Sequence, residues 1–215
     1  AFIAWVTALS GAPAEAIAID GKTSRRSFKK KGKTSLHMVS AFAARQRLVL
    51  GQMNVADKSN EIVAIPKLLE MMALEGAIVT IDAMGCQKSI AATIVAKNAD
   101  YVLALKGNQG MLRTDVETFA AEQMANGFAH VTATQHVETD GDHGRIDQRT
   151  TTVLHDLQWL RDRHRWAGLT AVVIVESVRE SPTGTETETR FYITSLNLPA
   201  DDMARIVRGH WSIEN

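Results

Sequence analysis

Two short, largely apolar runs in the sequence each end at an aspartate. Ala16–Ile19 runs directly into Asp20, and Ala77–Ile81 runs directly into Asp82. A short run of this kind is typical of a strand that is buried on both faces of a sheet. Burying an unpaired carboxylate is costly, so a charge where such a run stops needs an explanation. The two matching Ile-Asp endings suggest that the fold brings a pair of carboxylates together.

The other hydrophobic positions predict a regular alternation of elements up to residue 129. Apolar residues at helical spacing follow the N-cap residue Ser59 and continue to Gly76. Two apolar runs separated by Arg45 and Gln46 predict an antiparallel hairpin. In addition to the two Ile-Asp strands, the predicted elements are strands 36–44, 47–55 and 100–106 and helices 59–76, 87–98 and 110–127.

The pattern changes near residue 130. From 130 to 195, alternating strands and loops are predicted, with a Ser-Pro-Thr-Gly turn before the last strand. A closing helix, 199–215, starts at Pro199 and carries acidic residues in its first turn, both of which suit a helix N-terminus. Strands followed by strand–helix units imply a mixed sheet with helices packed on its faces. The predicted fold class is therefore α/β, with a β-rich insertion before the last helix.

The predicted elements divide the chain into four segments. Residues 1–14 are interpreted as the end of a preceding helix or linker, and 15–129 as the first part of the core. Residues 130–195 form the β-rich insertion with the last strands, and 196–215 the C-terminal helix of the core. Because the sequence lacks an initiator Met and stops within a helical pattern, we expect it to be a fragment of a longer protein.

Composition narrows the class of protein without naming a function. The 215 residues are 45% hydrophobic and 22% charged, which is typical of a globular protein. The net charge is zero, so composition alone indicates neither a nucleic-acid-binding nor a membrane protein. The single cysteine, Cys86, excludes an internal disulfide and suits a reducing cytoplasm. The expected compartment is therefore the cytoplasm. No apolar stretch has the length of a membrane span, and we expect no membrane partner.

Two carboxylates a few ångströms apart repel, so either one is protonated or a cation lies between them. Oxygen ligands favour hard cations such as Mg²⁺ or Mn²⁺. A third carboxylate would complete a site for two such ions, and the best candidate is Glu214 on the closing helix, which shares one helix face with His210 and Trp211. Three simpler interpretations remain open: Asp82 could be a helix cap, Asp20 a turn residue and Glu214 a surface charge.

Six motifs resemble the DDE transposases of bacterial insertion sequences, most closely the H-repeat-associated group. The similarity runs in the family's order over nearly the whole chain from about residue 15. The motifs are AIAIDGKTSRRS, DKSNEI, VTIDAMGCQKSIA, YVLALKGNQ, DHGRIDQRT and RGHWSIEN.

The resemblance implies a ribonuclease H-like core, two divalent metal ions and a catalytic triad of Asp20, Asp82 and Glu214. It also implies a homodimer in the DNA complex, which cuts the ends of an insertion sequence and joins them to a target duplex. Two positions depart from the broader signature, which has Tyr and Arg where this chain has Val207 and His210. The alternative is a DNA-binding remnant of a transposase that no longer catalyses.

Basic residues next to the predicted carboxylates are candidates for DNA contact. Lys22–Lys33 contains seven basic residues and no acidic one, although such a run can also be only a solvated loop. Strand alternation puts alternate residues from His143 to Arg149 on one face, which suits either a DNA contact or a polar outer face. The predicted DNA-binding residues are Lys22, Arg25, Arg26, Lys29, Lys30, Lys106, His143, Arg145, Arg149, Arg208 and His210.

Overall fold

The computed structural model describes residues 16–23, 37–55, 61–142, 145–155, 157–182 and 184–213. Its contacts divide the chain into two compact units. Unit 1 comprises Ala1–Leu103 and Ile206–Asn215, and unit 2 comprises Ala104–Arg205. The segment boundaries predicted from the sequence, at residues 15, 130 and 196, stay predictions.

Unit 1 contains a mixed sheet with the strand order β3-β2-β1-β4-β5. The first three strands pair antiparallel, whereas β4 pairs parallel with β1 and with β5. The strands are β1 (Ala16–Thr23), β2 (His37–Ala43), β3 (Leu48–Val55), β4 (Ile78–Ile81) and β5 (Asp100–Leu105, which reaches into unit 2). The predicted hairpin of β2 and β3 and the predicted mixed α/β architecture are both confirmed.

Two helices of unit 1 follow strands of this sheet. They are α1 (Glu61–Glu70), which contacts β2 and β3, and α2 (Lys88–Ala96), which contacts α1. A 3₁₀ turn at Ala83–Gly85 separates β4 from α2. The buried apolar side of α1 has the i, i+1, i+4, i+5 spacing of an amphipathic helix and consists of Ala64, Ile65, Leu68 and Leu69.

Gly21 shows which face of the sheet α1 covers. A Cβ atom built on Gly21 would lie 2.2 Å from Oε1 of Glu61, the first residue of α1. Side chains alternate between the two faces along a strand, so Asp20 points away from α1. The buried Glu61 carboxylate is held by a hydrogen bond with Nε2 of the buried His37. Glycine at position 21 therefore lets this buried pair lie directly against β1.

Unit 2 is built on four antiparallel strands in the order β9-β8-β7-β6. The strands are β6 (Ala133–Asp142), β7 (Arg145–Leu154), β8 (Ala171–Ser181) and β9 (Gly184–Thr194). This agrees with the strands predicted for the second half of the sequence. In β8 and β9 the ends near Ala171 and Thr194 are buried, whereas the ends near the connecting turn are exposed. The apolar and polar halves of this hairpin thus follow directly from its sequence.

Three helices complete the described part of the chain. They are α3 (Gly110–Ala125), α4 (Gln158–His164) and α5 (Ala200–His210), and α5 passes from unit 2 into unit 1. Helix α4 was not predicted, because its seven residues are too few to show two turns of hydrophobic periodicity. None of the described helices is long and apolar enough to cross a membrane.

A carboxylate on α3 fixes α4 in place. Oδ2 of Asp115 lies 2.7 Å from Nε2 of His164 and 3.0 Å from Nε of Arg163. The Phe119 and Trp159 rings also contact each other, with centroids 5.0 Å apart. The short helix is therefore stabilised by contacts with α3 rather than by its own periodicity.

We expect Gly21→Ala to lower the free energy of unfolding by about 1–3 kcal/mol, the usual cost of overpacking a core. Glu61 cannot yield easily, because its carboxylate is buried and bonded to His37. The matched control is Gly110→Ala, where the backbone is α-helical and no atom lies within 4 Å of the new Cβ. The control should gain about 0.4–1 kcal/mol. Urea denaturation of both variants measures the difference, and equal stabilities would contradict the close approach at Gly21.

We expect the Cys86 thiol to resist labelling in the native protein. Cys86 has no exposed surface, and burial, with a smaller contribution from the Asp82 charge, raises its pKa to about 12. At pH 8, on the order of one thiol in ten thousand would be ionised, and only the thiolate reacts. A disulfide-exchange reagent should therefore label one thiol in denaturant and almost none before unfolding. Fast labelling under native conditions would contradict the burial of Cys86.

Candidate active site

The two Ile-Asp endings lie side by side in unit 1. Strands β1 and β4 pair parallel and in register, and the last pair of this register is Ile19 with Ile81. Asp20 is the next residue of β1, and Asp82 directly follows β4 with its backbone still extended. Since neighbouring strands are about 4.8 Å apart and paired residues point to the same face, the two side chains project from adjacent positions. Both residues are half-buried.

Asp82 also caps the turn that follows it. Its backbone is extended, and its Oδ1 accepts a hydrogen bond of 3.1 Å from the amide nitrogen of Met84. Asp82 therefore has the capping role that was one of its interpretations from the sequence. A bond to one oxygen orients the carboxylate without excluding a second role, because an ionised carboxylate has about four acceptor sites.

The end of α5 lies on the same face of the unit 1 sheet as the two aspartates. Nδ1 of His210, the last residue of α5, lies 2.9 Å from the hydroxyl oxygen of Thr80 on β4. Thr80 is two residues before Asp82, so both side chains are on one face. The 3₁₀ turn Trp211–Ile213 that follows α5 contacts β1. The described chain thus reaches the two aspartate-bearing strands just before Glu214, which lies outside the described residues.

Within the described ranges, no group of three or more His, Cys, Asp or Glu side chains could hold a metal ion. The described acidic side chains at this position are the two carboxylates of Asp20 and Asp82. Their donor chemistry fits a hard divalent cation, since both offer only oxygen. Two carboxylates alone leave most of an octahedral coordination shell to other ligands, so the donor set calls for a third carboxylate, water or substrate oxygens.

Two of the DNA-binding residues predicted for unit 1 are exposed in the part of the chain that the structure describes. Lys22 is exposed on β1, two residues after Asp20 and on the same face. Arg208 is exposed on α5, two residues before His210. Four further predicted residues lie outside the described residues: Arg25, Arg26, Lys29 and Lys30.

In unit 2, Lys106 is exposed directly after β5, and Arg149 is half-buried on β7. His143 and the side chain of Arg145 are not among the parts that the structure describes. These four positions stay predictions as DNA contacts.

The strand face that carries Arg149 contains ion pairs which the sequence did not reveal. Asp147 is paired in register with Arg179, and Arg179 with Glu186. Nε of Arg179 donates a hydrogen bond of 2.8 Å to Asp147, and this bond raises the pKa of the guanidinium. One oxygen of Glu186 lies 3.9 Å from the same guanidinium. The partners come from three strands, so no local spacing in the sequence could have indicated them.

Next to these pairs, Arg190 donates two hydrogen bonds of 2.8 Å each to Glu188. The bidentate contact lowers the pKa of the Glu188 carboxyl group, with the charge of Lys106 as a smaller cause. Part of the charge on this surface of unit 2 is therefore neutralised within the sheet.

Comparison with known proteins supports one family over almost the whole chain. The model of the family described as "Transposase DDE domain" matches residues 11–215. The chain is 41% identical over 206 residues to "Putative transposase YncI" of Escherichia coli O157:H7, covering 94% of this chain and 52% of that protein. It is 38% identical over 207 residues to "H repeat-associated putative transposase YhhI" of Escherichia coli strain K12, covering 94% and 54%.

One solved structure, the piggyBac transposase synaptic complex with hairpin DNA, aligns with a TM-score of 0.47 and 8% identity, over 94% of this chain and 39% of that one. The chain spans about half the length of the two curated relatives. The resemblance noted in the sequence motifs is confirmed by the family match and by the identity to these relatives. The chain belongs to the transposase DDE domain family.

Proposed function

We propose that this chain is the catalytic domain of a DNA transposase, which hydrolyses phosphodiester bonds at the ends of an insertion sequence and transfers the freed strand to a target duplex. Family membership supports the general class. The observation that carries the catalytic assignment is the parallel register of β1 and β4, which ends at Ile19 and Ile81 and makes Asp20 and Asp82 neighbours. We assign the predicted ribonuclease H-like core to unit 1, whose mixed sheet carries both residues.

Electrostatics favours a metal site at this position. Two ionised carboxylates about 5 Å apart repel by about 3 kcal/mol at the effective dielectric of a partly buried site. A divalent cation held by both carboxylates would offset this repulsion. Asp20, Asp82 and Glu214 would hold Mg²⁺ or Mn²⁺, two ions in the full site. When bound, the ions supply Lewis acidity and lower the pKa of a bound water.

The chain's own contribution is to hold the reacting groups in place. The paired strands fix the Asp20 and Asp82 backbones, and the Met84 amide orients the Asp82 carboxylate. Lys22, on the same face as Asp20, can bind the phosphate backbone close to the cleaved bond. The nucleophile is first a water and then the 3′-hydroxyl of the cut strand, so no side chain is required to form a covalent bond with DNA. Positioning and charge stabilisation are the enzyme's task.

DNA binding is proposed for the basic residues named from the sequence. The run 22–33 supports this, because seven positive charges without an acidic residue form a local field that the zero net charge of the whole chain conceals. We extend the proposal to a homodimer in the DNA complex, since the two ends of an element call for two catalytic domains. The bacterial cytoplasm is the corresponding compartment. The proposed contacts are Lys22, Arg25, Arg26, Lys29, Lys30, Lys106, His143, Arg145, Arg149 and Arg208, whereas His210 is assigned a different role.

We expect Asp20→Asn and Asp82→Asn each to abolish Mn²⁺ binding measured by calorimetric titration, and Mg²⁺-dependent strand cleavage with it. Asn keeps the shape of Asp and can still accept from the Met84 amide. It also removes the repulsion between two carboxylates, so the thermal midpoint without metal should be equal to or above that of the wild type. The control is Glu188→Gln in unit 2, an exposed carboxylate paired with Arg190, which should leave Mn²⁺ binding unchanged.

Unaltered Mn²⁺ binding in both aspartate variants would overturn the proposed metal site. A wild-type chain that binds DNA but shows no Mn²⁺ binding dependent on these carboxylates would instead be the catalytically inactive remnant.

We expect Lys22→Ala to reduce the slope of log affinity against log salt for duplex DNA by about 0.9, the value for one lost phosphate contact. Replacing four basic residues of the run together should reduce the slope by about 3.6. The matched control is Lys67→Ala, because Lys67 is exposed on α1, which covers the opposite face of the sheet. Equal slopes for the Lys22 and Lys67 variants would exclude Lys22 as a DNA contact.

A further inference from the structure

We propose that His210 is a positioning residue that fixes the C-terminal end of α5 on the carboxylate-bearing face through Thr80, rather than a residue that contacts DNA. This inference rests on the proposed function and deepens it, because the fixed helix end leads directly to Glu214. The contact joins residues 130 positions apart, with 2.9 Å between Nδ1 of His210 and Oγ1 of Thr80.

Thr80 is a polar residue at a position that otherwise requires an apolar one. Strand β4 lies between β1 and β5, and all four of its residues are buried. Thr80 itself is 2% exposed. Valine has nearly the same shape and would satisfy the packing alone. A buried hydroxyl is costly unless it has a hydrogen-bond partner, and His210 is a partner that the structure provides. The His210 contact is therefore a physical reason for threonine at this point of the strand.

This hydrogen bond connects the strands of the proposed site with the C-terminal end of α5. On one side, Thr80 is in register with Ala18 of β1 and two residues before Asp82, so it shares their face. On the other side, His210 ends α5 and is followed by the 3₁₀ turn Trp211–Ile213, which contacts β1. The bond thus ties the helix end to the strands that carry both aspartates.

The imidazole also contacts a neighbouring aromatic ring. The Trp211 ring meets the His210 ring edge-on, with centroids 5.6 Å apart and an interplanar angle of 81°. A half-buried ring held by a hydrogen bond and an aromatic contact has little freedom to follow a DNA strand. Arg208, two residues earlier on the same helix, is exposed and always charged, which suits a phosphate contact better. The structure thus favours different roles for the two residues.

The test compares four variants of the full chain for Mn²⁺ affinity, DNA affinity at several salt concentrations and thermal stability. Thr80→Val removes the hydroxyl and keeps the shape, Thr80→Ser keeps the hydroxyl, His210→Ala removes the ring, and the fourth variant combines Thr80→Val with His210→Ala. Loss of a residue that orients a metal ligand typically costs 10–100-fold in metal affinity. We expect that loss for Thr80→Val and His210→Ala, no greater loss for the double variant, and near wild-type affinity for Thr80→Ser.

DNA binding separates positioning from direct contact. Thr80→Val and His210→Ala should leave the salt slope unchanged, whereas Arg208→Ala should reduce it by about 0.9. If His210→Ala reduces the slope while Thr80→Val changes neither slope nor Mn²⁺ affinity, His210 contacts DNA and the inference is wrong.

Two further outcomes are distinguishable. If Mn²⁺ binding depends on Asp20 and Asp82 but not on Thr80 or His210, the inference fails and the proposed function stands. If no Mn²⁺ binding depends on the two aspartates, the proposed function fails, and the inference fails with it. If His210→Ala does not fold, the comparison of Thr80→Val with Thr80→Ser still decides. Valine keeps the branched shape without the hydroxyl, and serine keeps the hydroxyl.

Discussion

The parallel pairing of β1 with β4 is the constraint on which the proposed chemistry depends. It places two carboxylates side by side against a repulsion of about 3 kcal/mol. The same two strands bury Ile17, Ile19, Val79 and Ile81, each at most 2% exposed. Burying side chains of this size contributes about 1.5–3 kcal/mol each before the entropy cost of ordering the chain. The core on the opposite face therefore supports the strand pairing that brings the carboxylates together.

The two faces of the unit 1 sheet have different roles: one packs against a helix, and the other carries the residues of the proposed site. One face is covered by α1, whose Glu61 and the buried His37 lie against Gly21. The opposite face carries the polar side chains of Thr80, Asp82 and their neighbours, together with the end of α5. A change on the α1 face should act mainly through folding. A change on the other face should act on the proposed metal and DNA binding while the core remains packed.

Charge in this protein is arranged locally, and its zero sum conceals the arrangement. In unit 2, acidic and basic side chains meet across neighbouring strands, as Asp147 does with Arg179 and Glu188 with Arg190. By contrast, the sequence from Lys22 to Lys33, which begins two positions after Asp20, contains seven basic residues and no acidic one. Exposed ion pairs add little stability, but they remove charge from the surface on which they lie. The zero net charge of the whole chain is therefore compatible with a strongly basic stretch of sequence close to Asp20.

The sequence by itself determined most of the elements and the family. Apolar runs, helical spacing and the hairpin connection are local patterns, and they predicted the mixed α/β architecture, the β2–β3 hairpin and the two Ile-Asp endings. The tertiary structure alone decided that β1 pairs with β4 in the register that makes Asp20 and Asp82 neighbours, that His210 bonds to Thr80, and that Asp147 meets Arg179. The presence of α4 also depends on the tertiary structure, because its His164 bonds to Asp115 of another helix. The physical reason is common to all four: periodicity reports only which face of its own segment a residue occupies, whereas pairing depends on which distant segment buries that face.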